Sequence, residues 1–250
     1  MSRPIYVHAV SALFEPAELR NGVAVVIDVL RATSTITHAL AAGARCVIPC
    51  GEVEEARRRR DAFLPASALL GGERQGLRIP GFDLGNSPAE YLPETVRGKS
   101  VVFTTTNGTQ ALIRARDANR VLIGALLNVG AVAATLAGLP EPIHLVCAGL
   151  HGQLALEDLL FAGAIAHRLQ LAAPSSDFSE DATQLALNLY ETCGRDYDRA
   201  ASLLRSSRGG RNLIECGLEA DIGMCAREDS LALVPELFKN EWEIRDPAGQ

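Results

Sequence analysis

The stretch that most constrains this chain is residues 22–43, GVAVVIDVLRATSTITHALAAG. It opens with apolar, mostly β-branched residues and reaches a carboxylate at Asp28, which is typical of a buried strand in a parallel sheet. A polar segment follows, and then an amphipathic stretch with Ile36 and Leu40 on one face. The pattern predicts a strand, a polar loop and a helix, with Asp28 where the strand ends.

The polar loop after this strand combines features of an anion site and a cation site. A helix N-terminus offers free backbone N–H groups and partial positive charge. Arg31 adds a planar fork suited to phosphate or carboxylate, and Asp28 suits a hard divalent cation. A metal-assisted phosphate enzyme needs this combination.

Composition bounds the class of the protein. The 250 residues are 48% hydrophobic and 5% aromatic, which suits helices packed on a mostly parallel sheet. A formal net charge of −6 argues against a general nucleic-acid binder. The six cysteines lack a paired zinc spacing, and no signal peptide or membrane-length apolar run opens the chain. We therefore expect a reduced, cytoplasmic protein with no nucleic-acid or membrane partner.

Periodicity predicts an α/β fold of three layers, α/β/α, with a mostly parallel or mixed sheet. We expect one domain over residues 1–250, with two packed halves, at about 1–115 and 116–250, as the alternative. Apolar runs predict strands at the following segments: 4–10, 22–27, 45–50, 99–104, 120–124, 142–147 and 230–233.

Residues 71–87, GGERQGLRIPGFDLGNS, break every periodicity. A loop of this length in a compact domain is usually functional or disordered, and its polar residues, among them Glu73, Arg74 and Asn86, favour a function. Ser87-Pro88-Ala89-Glu90 has the form of a capping box. We therefore assign Ser87 to helix capping rather than to chemistry.

A second unit of strand, polar turn and helix begins at residue 99. Its turn contains Asn107, Gly108 and Thr109. A helix cap needs only one polar residue, whereas five polar or glycine positions run together here, and glycine lets the backbone approach a ligand closely. This pattern favours an anion cradle over a simple cap.

Later segments carry further candidates. Glu157 and Asp158 occupy the first turn of a predicted helix, where the helix dipole alone and metal ligation explain them equally well. The basic segment 205–212 is predicted to be flexible, with Arg208 either reaching an anion or capping a helix. A helix over 213–226 presents Asp221.

Four segments together resemble the 2-phosphosulfolactate phosphatase family of coenzyme M biosynthesis. They are residues 28–35, residues 72–91, residues 104–109, and Cys147-Ala-Gly followed by Glu157-Asp158. The resemblance spans nearly the whole chain. It implies an α/β three-layer fold, Mg²⁺ dependence and a homodimer. It also implies hydrolysis of phosphate esters of 2-hydroxy carboxylic acids, such as 2-phospho-3-sulfolactate to 3-sulfolactate and phosphate.

The residues fit this implication and give a site hypothesis. Four carboxylates are expected to hold Mg²⁺ directly or through water: Asp28, Glu157, Asp158 and Asp221. The phosphoryl oxygens are expected to meet Arg31, Thr33, Ser34, Asn107, Gly108 and Thr109. Arg74 would hold a carboxylate or sulfonate, and Arg208 is a further substrate-binding candidate. Catalytic roles fall to Asp28, Arg31 and His151, where His151 is either a general acid or a solvent-facing loop residue.

The sequence leaves alternatives for the nucleophile of the reaction and for the functional class of the protein. Asp28 could attack phosphorus itself, but phosphatases of that kind often carry a second Asp two residues later, where Leu30 stands, so attack by metal-activated water is favoured. Cys147 is interpreted as a buried hydrophobe, because Gln153 replaces the arginine of a C-x5-R phosphate loop.

A non-catalytic module that binds a small phosphorylated or sulfonated anion is the alternative function. A nucleotide-binding protein is weaker, since no phosphate-binding glycine motif follows a strand.

Overall fold

The structure, a computed structural model, describes residues 2–249 of the chain. Its ten strands are β1 (Ile5–His8), β2 (Val23–Ile27), β3 (Cys46–Pro49), β4 (Ala68–Arg74), β5 (Leu77–Arg78), β6 (Ser100–Thr104), β7 (Arg120–Gly124), β8 (Ile143–Cys147), β9 (Glu236–Phe238) and β10 (Glu243–Arg245).

Ten α-helices connect and cover these strands. They are α1 (Ala32–Ala41), α2 (Val53–Asp61), α3 (Pro93–Val96), α4 (Gly108–Arg114), α5 (Val129–Ala137), α6 (Leu156–Ala172), α7 (Asp181–Leu189), α8 (Tyr197–Ser206), α9 (Arg208–Glu215) and α10 (Ala220–Cys225). None of the helices in residues 2–249 combines the length and the apolar character that crossing a bilayer requires.

All ten strands belong to one mixed sheet, in the order β1-β8-β2-β7-β9-β10-β3-β6-β4-β5. Its two parallel parts are β1-β8-β2-β7 and β3-β6-β4. The antiparallel pair β9-β10 joins them, and it pairs antiparallel to both β7 and β3. The α/β class and the mixed sheet predicted from periodicity are confirmed. The single-domain organisation stays a prediction.

Strand β2 is buried on both faces, as its continuous apolar run predicts. Val25 and Ile27 pack in one core with residues of α5, α6 and α9, whereas Val26 faces a second core with residues of α1 and α4. The alternation of side chains along a strand explains this division. Helices therefore cover both faces of the sheet beside Asp28.

The loops that follow β2 and β6 meet, although the two strands are not neighbours. Five strand steps separate β2 from β6 in the sheet. One apolar core extends from Val26 of β2 through Leu112 of α4 to Phe103 of β6. At the start of α4, an added Cβ at Gly108 would stand 2.7 Å from Asp28 Oδ2, so the segment after β6 lies against the end of β2.

Three predictions of local structure were wrong. Residues 230–233 form no strand, and the chain instead pairs β9 with β10 beyond them, in strands too short to show a clear period. Residues 205–212, predicted as flexible, belong largely to α8 and α9. The single helix predicted over 213–226 is divided, because Gly217 adopts a φ of +73° and ends α9 in the left-handed conformation typical of helix C-termini.

The segment 71–87 is more ordered than its sequence predicts. Its first residues complete β4, and a tight turn at Gln75 and Gly76 leads into β5. Ser87 does not cap a helix with its side chain. The Glu90 carboxylate instead accepts a hydrogen bond from the backbone N–H of Gly85, at 2.8 Å. The capping-box assignment of Ser87 was therefore wrong.

Candidate active site

A cavity of about 260 Å³ lies where the polar loops that follow several strands meet. Asp28 enters it from the end of β2, Asn107 from the start of α4 and His151 from the loop after β8. Other residues that line it include Leu30, Arg31, Glu73, Gln75, Gly76, Asn86, Thr106, Arg208, Gly209 and Asn212. Crevices at the carboxyl ends of parallel strands are the usual ligand sites of α/β sheets.

Asp28 is a buried carboxylate at the wall of this cavity, with 8% of the residue exposed. Its Oδ1 accepts a hydrogen bond from the backbone N–H of Ala32, at 3.1 Å. Burial, together with repulsion from Glu73 and Glu157, raises the pKa of Asp28 to about 7, although the Ala32 N–H and the charge of Arg31 oppose the rise. Gly108 lies against its other oxygen, since an added Cβ there would stand 2.7 Å from Oδ2.

Glu157 is the second carboxylate available to a ligand. Only 3% of Glu157 is exposed, and its Oε2 is buried without a hydrogen-bond partner in residues 2–249. Burial raises the pKa of Glu157. An added Cβ at Gly209 would collide with its Oε1, so the start of α9 closes directly over this carboxylate.

Asp158 and Asp221 are close to the cavity but their oxygens are engaged. Asp158 accepts hydrogen bonds from the backbone N–H groups of Val29, at 2.9 Å, and Gly149, at 3.1 Å. Burial, together with repulsion from Asp28, raises the pKa of Asp158 well above its usual value. These contacts give Asp158 the role of joining β2 to the loop after β8.

Arg31 and Asp221 form a buried ion pair, with 2.6 Å between Nη1 and Oδ2. The other Asp221 oxygen accepts a hydrogen bond from Ser87 Oγ at 2.6 Å, and Arg31 Nη2 donates to the backbone oxygen of Gly76 at 2.7 Å. A guanidinium carries five N–H donors, so these bonds fix Arg31 and leave three donors for a ligand. Asp221, predicted as a metal ligand, instead balances the charge of Arg31.

The carboxylates therefore do not form the four-residue metal shell predicted from the sequence. In the described part of the chain, no group of three or more His, Cys, Asp or Glu side chains is arranged to hold a metal ion. Asp28 Oδ2 lies beside Gly108, and Glu157 Oε2 is a buried oxygen without a hydrogen-bond partner in residues 2–249. They fit Mg²⁺, which usually takes one or two carboxylates and completes its shell with waters and substrate phosphate.

Glu73 ties two loops of the cavity together. Its carboxylate accepts hydrogen bonds from the backbone N–H groups of Gly76, at 2.7 Å, and Thr106, at 2.8 Å. It thereby joins the β4–β5 turn to the turn between β6 and α4. The contact also takes one N–H group away from the predicted anion cradle at 105–109.

Several predicted phosphoryl ligands have their hydroxyl groups in local hydrogen bonds. Thr33 Oγ1 donates to the backbone oxygen of Asp28, Ser34 Oγ donates to that of Val29, and Thr109 Oγ1 donates to that of Thr105. All three side chains are buried and none lines the cavity. They shape the two turns rather than presenting a hydroxyl to a ligand.

Arg74 also lies outside the cavity, contrary to the site hypothesis. Its guanidinium donates to Thr104 Oγ1 at 3.0 Å and to the backbone oxygen of Glu73 at 2.8 Å. Arg208, by contrast, lines the cavity and donates to the Gln153 side chain. It provides positive charge at the rim.

His151 is exposed at the edge of the cavity. Its backbone N–H donates to Asn107 Oδ1 at 3.1 Å, which joins the loop after β8 to the start of α4. Cys147, at the end of β8, is fully buried, and burial raises the pKa of its thiol well above the usual value. Cys147 is therefore a poor nucleophile, as its sequence context indicates.

The site hypothesis missed Thr106, Asn86, Glu73 and Asn212 among the lining residues. The first three lie in the polar segments 71–87 and 105–109, for which the sequence predicts a function, so these segments could have identified them as site residues. Asn212 lies within α9, whose N-terminus was predicted as flexible, and no local pattern distinguishes it.

Comparison with known proteins places this site in a family. Residues 9–240 match the family described as 2-phosphosulpholactate phosphatase. A protein of Symbiobacterium thermophilum named probable 2-phosphosulfolactate phosphatase is 44% identical over 218 residues, which are 87% of this chain and 92% of that protein. A protein of the same name from Thermotoga petrophila is 40% identical over 240 residues, 96% of this chain and 99% of that protein. The chain belongs to the 2-phosphosulfolactate phosphatase family.

Membership of the 2-phosphosulfolactate phosphatase family is consistent with the placement of the four segments that carry the resemblance. Residues 28–35, 72–91 and 104–109 all contribute side chains to the wall of the cavity. The segment around 147–158 contributes His151 and the buried carboxylates beneath it.

Proposed function

We propose that this chain hydrolyses phosphate esters of 2-hydroxy carboxylic acids in a Mg²⁺-dependent reaction, with 2-phospho-3-sulfolactate as its substrate. Membership of the family classes the chain as a phosphoric monoester hydrolase. The observation that carries the proposal is a pair of buried carboxylates, Asp28 in the wall of the cavity and Glu157 behind the lining residue Gly209, beside two cations that line the cavity, Arg31 and Arg208. Carboxylates and cations together suit a bound metal and a phosphoryl group.

Asp28 and Glu157 would hold Mg²⁺, with water and substrate oxygens completing its shell. The ion, when bound, would offset negative charge on the transferring phosphoryl group. The unpartnered Oε2 of Glu157 supports this assignment, because a buried carboxylate oxygen without a donor needs a cation or a proton.

Side chains around the cavity would orient the ester, bind its negatively charged groups and supply a proton to the leaving group. Arg31 would direct its remaining N–H donors at a phosphoryl oxygen, since Asp221 and Gly76 already hold its guanidinium in place. The backbone at Asn107 and Gly108 would approach the same phosphoryl group, because Gly108 has no side chain where it lies beside Asp28. Arg208 would attract the anionic substrate at the rim, and His151 would give a proton to the leaving alkoxide.

The test is the release of inorganic phosphate from 2-phospho-3-sulfolactate and 2-phospholactate, with Mg²⁺ and with EDTA. We expect release by the wild-type protein with Mg²⁺, and a loss of at least about 100-fold with EDTA or in Asp28→Asn. The exposed substitution Asp61→Asn serves as a control and should leave turnover unchanged. Binding of these esters without phosphate release would favour the non-catalytic anion-binding module.

Three further properties remain proposals. We expect a homodimer and a role in coenzyme M biosynthesis from the family resemblance, and a cytoplasmic location from the composition. Sedimentation of the purified protein at several concentrations tests the first, and a monomer at all concentrations would contradict it.

A further inference from the structure

Two arginines line the cavity at different depths. Arg31 is only 3% exposed, and it is close enough to Asp28 for its charge to oppose the rise in the pKa of that carboxyl. Arg208, the first residue of α9, also lines the cavity but is exposed to solvent. The cavity therefore has one cation at its inner end, beside Asp28, and a second cation at its mouth.

The two arginines also differ in how their charge is balanced. Asp221 forms a salt bridge with Arg31, at 2.6 Å. Within residues 2–249 no carboxylate forms a salt bridge with Arg208, whose guanidinium donates to the neutral side chain of Gln153. A guanidinium carries five N–H donors, so Arg208 keeps donors for a ligand. Its charge is therefore available to an anionic group at the mouth of the cavity.

Asn212 adds an amide to the same wall. It follows Arg208 by one helical turn in α9, so the two side chains share one face of the helix, and both line the cavity. Asn212 is half-buried, and its side chain makes no hydrogen bond to residues 2–249. An added Cβ at Gly76 would stand 2.9 Å from Asn212 Nδ2, so this face of α9 also lies against the β4–β5 turn.

The acidic groups of the proposed substrate lie at different distances from phosphorus. In 2-phospho-3-sulfolactate the carboxylate is on the carbon that bears the phosphate, whereas the sulfonate is on the next carbon of the chain. With the phosphoryl group at the inner end, beside Asp28 and Arg31, the sulfonate extends toward the mouth. A sulfonate is a strong acid that stays ionised, so it needs a cation whose charge no carboxylate already balances.

We propose that Arg208, with Asn212 beside it, binds the sulfonate of the substrate. The proposal rests on the proposed phosphatase function, and it assigns to α9 the selection of 2-phospho acids that carry a second strong acid on the neighbouring carbon. Arg208 donates charge-assisted hydrogen bonds to sulfonate oxygens, and Asn212 donates an amide N–H. To do so, Arg208 gives up only a contact with the neutral Gln153.

The test compares two pairs of ligands that differ only in the sulfonate. One pair is 2-phospho-3-sulfolactate and 2-phospholactate, in which hydrogen replaces the sulfonate, assayed for phosphate release. The other pair is their phosphonate analogues, in which CH₂ replaces the ester oxygen, assayed for binding by calorimetry in the presence of Mg²⁺. The binding pair reports on recognition whether or not the protein cleaves the ester.

The informative variants are Arg208→Gln, Arg208→Lys and Asn212→Ala. Arg208→Gln removes the charge, so we expect kcat/KM for 2-phospho-3-sulfolactate to fall about 5- to 50-fold, mainly through KM. For 2-phospholactate the fall should be less than about threefold, because this ester lacks the group that Arg208 binds. Arg208→Lys keeps the charge without the planar fork and should lose less selectivity than Arg208→Gln, as should Asn212→Ala.

Matched controls separate recognition from general charge and from folding. Arg211→Gln removes the same charge from the same helix, but Arg211 is exposed, donates to the backbone oxygen of Ser206 and does not line the cavity. Asn188→Ala removes an exposed amide from α7. Both controls should keep the wild-type preference for the sulfonated ligand. Thermal unfolding of each variant verifies that the fold is retained.

The outcomes distinguish the two proposals. If the wild-type protein prefers the sulfonated phosphonate and Arg208→Gln loses that preference, the inference holds even when no ester is cleaved, and the phosphatase proposal alone fails. The inference is overturned if Arg208→Gln keeps the preference, if it weakens both analogues equally, if Arg211→Gln loses the preference to the same extent, or if the wild-type protein shows no preference.

Discussion

At the scale of single residues, the site depends on carboxylates whose burial opposes their ionisation. Burial raises the pKa of Asp28 to about 7 with the help of the acidic groups around it, and the hydrogen bond from the start of α1 opposes the rise. Burial also raises the pKa of Asp158 and of Glu157. The free protein carries an energetic cost that a bound cation would relieve, which is typical of sites arranged for function rather than stability.

This cost gives a prediction for Asp28→Asn. In the unfolded chain Asp28 ionises near the ordinary aspartate pKa of 3.8, whereas in the folded protein its pKa is about 7. Stability is therefore lost as the pH rises from about 4 to 7 and stays reduced above it. The neutral amide avoids this loss, so Asp28→Asn should raise the free energy of unfolding by about 1–3 kcal/mol at pH 8 and by much less at pH 4.

Urea unfolding without divalent cations at the two pH values measures this effect. Asp61→Asn is the matched control, because the side chain of Asp61 is 71% exposed. An equal effect of Asp28→Asn at pH 4 and pH 8 would show that Asp28 ionises normally in the folded protein.

At the scale of elements, the cavity is built from loops that belong to different parts of the sheet. Glu73, on β4, links the β4–β5 turn to the turn before α4, and Arg31, at the start of α1, donates to the same β4–β5 turn through Gly76. These hydrogen bonds are short, at 2.7–2.8 Å, and partly buried. The wall of the cavity is therefore one connected network rather than a set of independent loops.

Glu73→Ala should make the β4–β5 turn and the turn before α4 more mobile without leaving a cavity in the apolar core. The variant leaves the backbone N–H groups of Gly76 and Thr106 without acceptors, so we expect a loss of about 1–3 kcal/mol in stability and about 10- to 100-fold in kcat/KM. Faster hydrogen exchange at the Gly76 and Thr106 amides is the specific signature. Glu73→Gln keeps one acceptor oxygen, so its stability and exchange rates should lie between those of the wild-type protein and Glu73→Ala. Wild-type exchange rates in Glu73→Ala would contradict the role of the network.

At the scale of the whole molecule, two neutral histidines join the strands at one end of the sheet. His8 of β1 and His144 of β8 are hydrogen-bonded through Nε2 and Nδ1, at 3.0 Å, and Tyr6 stacks on His144. Burial lowers the pKa of His144 to about 4 and also lowers that of His8, although Glu18 favours protonation of both. The folded protein therefore keeps this pair uncharged at neutral pH.

Acidification should weaken this end of the sheet. An unfolded histidine gains a proton near pH 6.5, whereas folded His144 resists it until about pH 4, so stability is lost as the pH falls through this window. His144→Phe keeps the ring and removes the titration. The free energy of unfolding of His144→Phe minus that of the wild-type protein should rise by about 1–2 kcal/mol when the pH is lowered from 7 to 5. A constant difference, measured by urea unfolding, would contradict the assignment.

The sequence by itself determined the α/β class and the places where chemistry could occur. The run from Val23 to Asp28 predicts a buried strand ending in a carboxylate because burial on both faces demands continuous apolar residues. The polar turn at 105–109 was identified for a similar local reason. Such information is local, since it depends only on the residues within one element.

Only the tertiary structure decided which of those polar groups reach the cavity. Thr33 and Asp221 suit ligand binding by residue type, yet the fold engages one with the backbone and the other with Arg31. The fold also places Gly108, which follows β6, against Asp28 at the end of β2, although five strand steps separate the two strands. Hydrogen-bond partners and strand order depend on contacts between residues far apart in the chain, and no local pattern contains them.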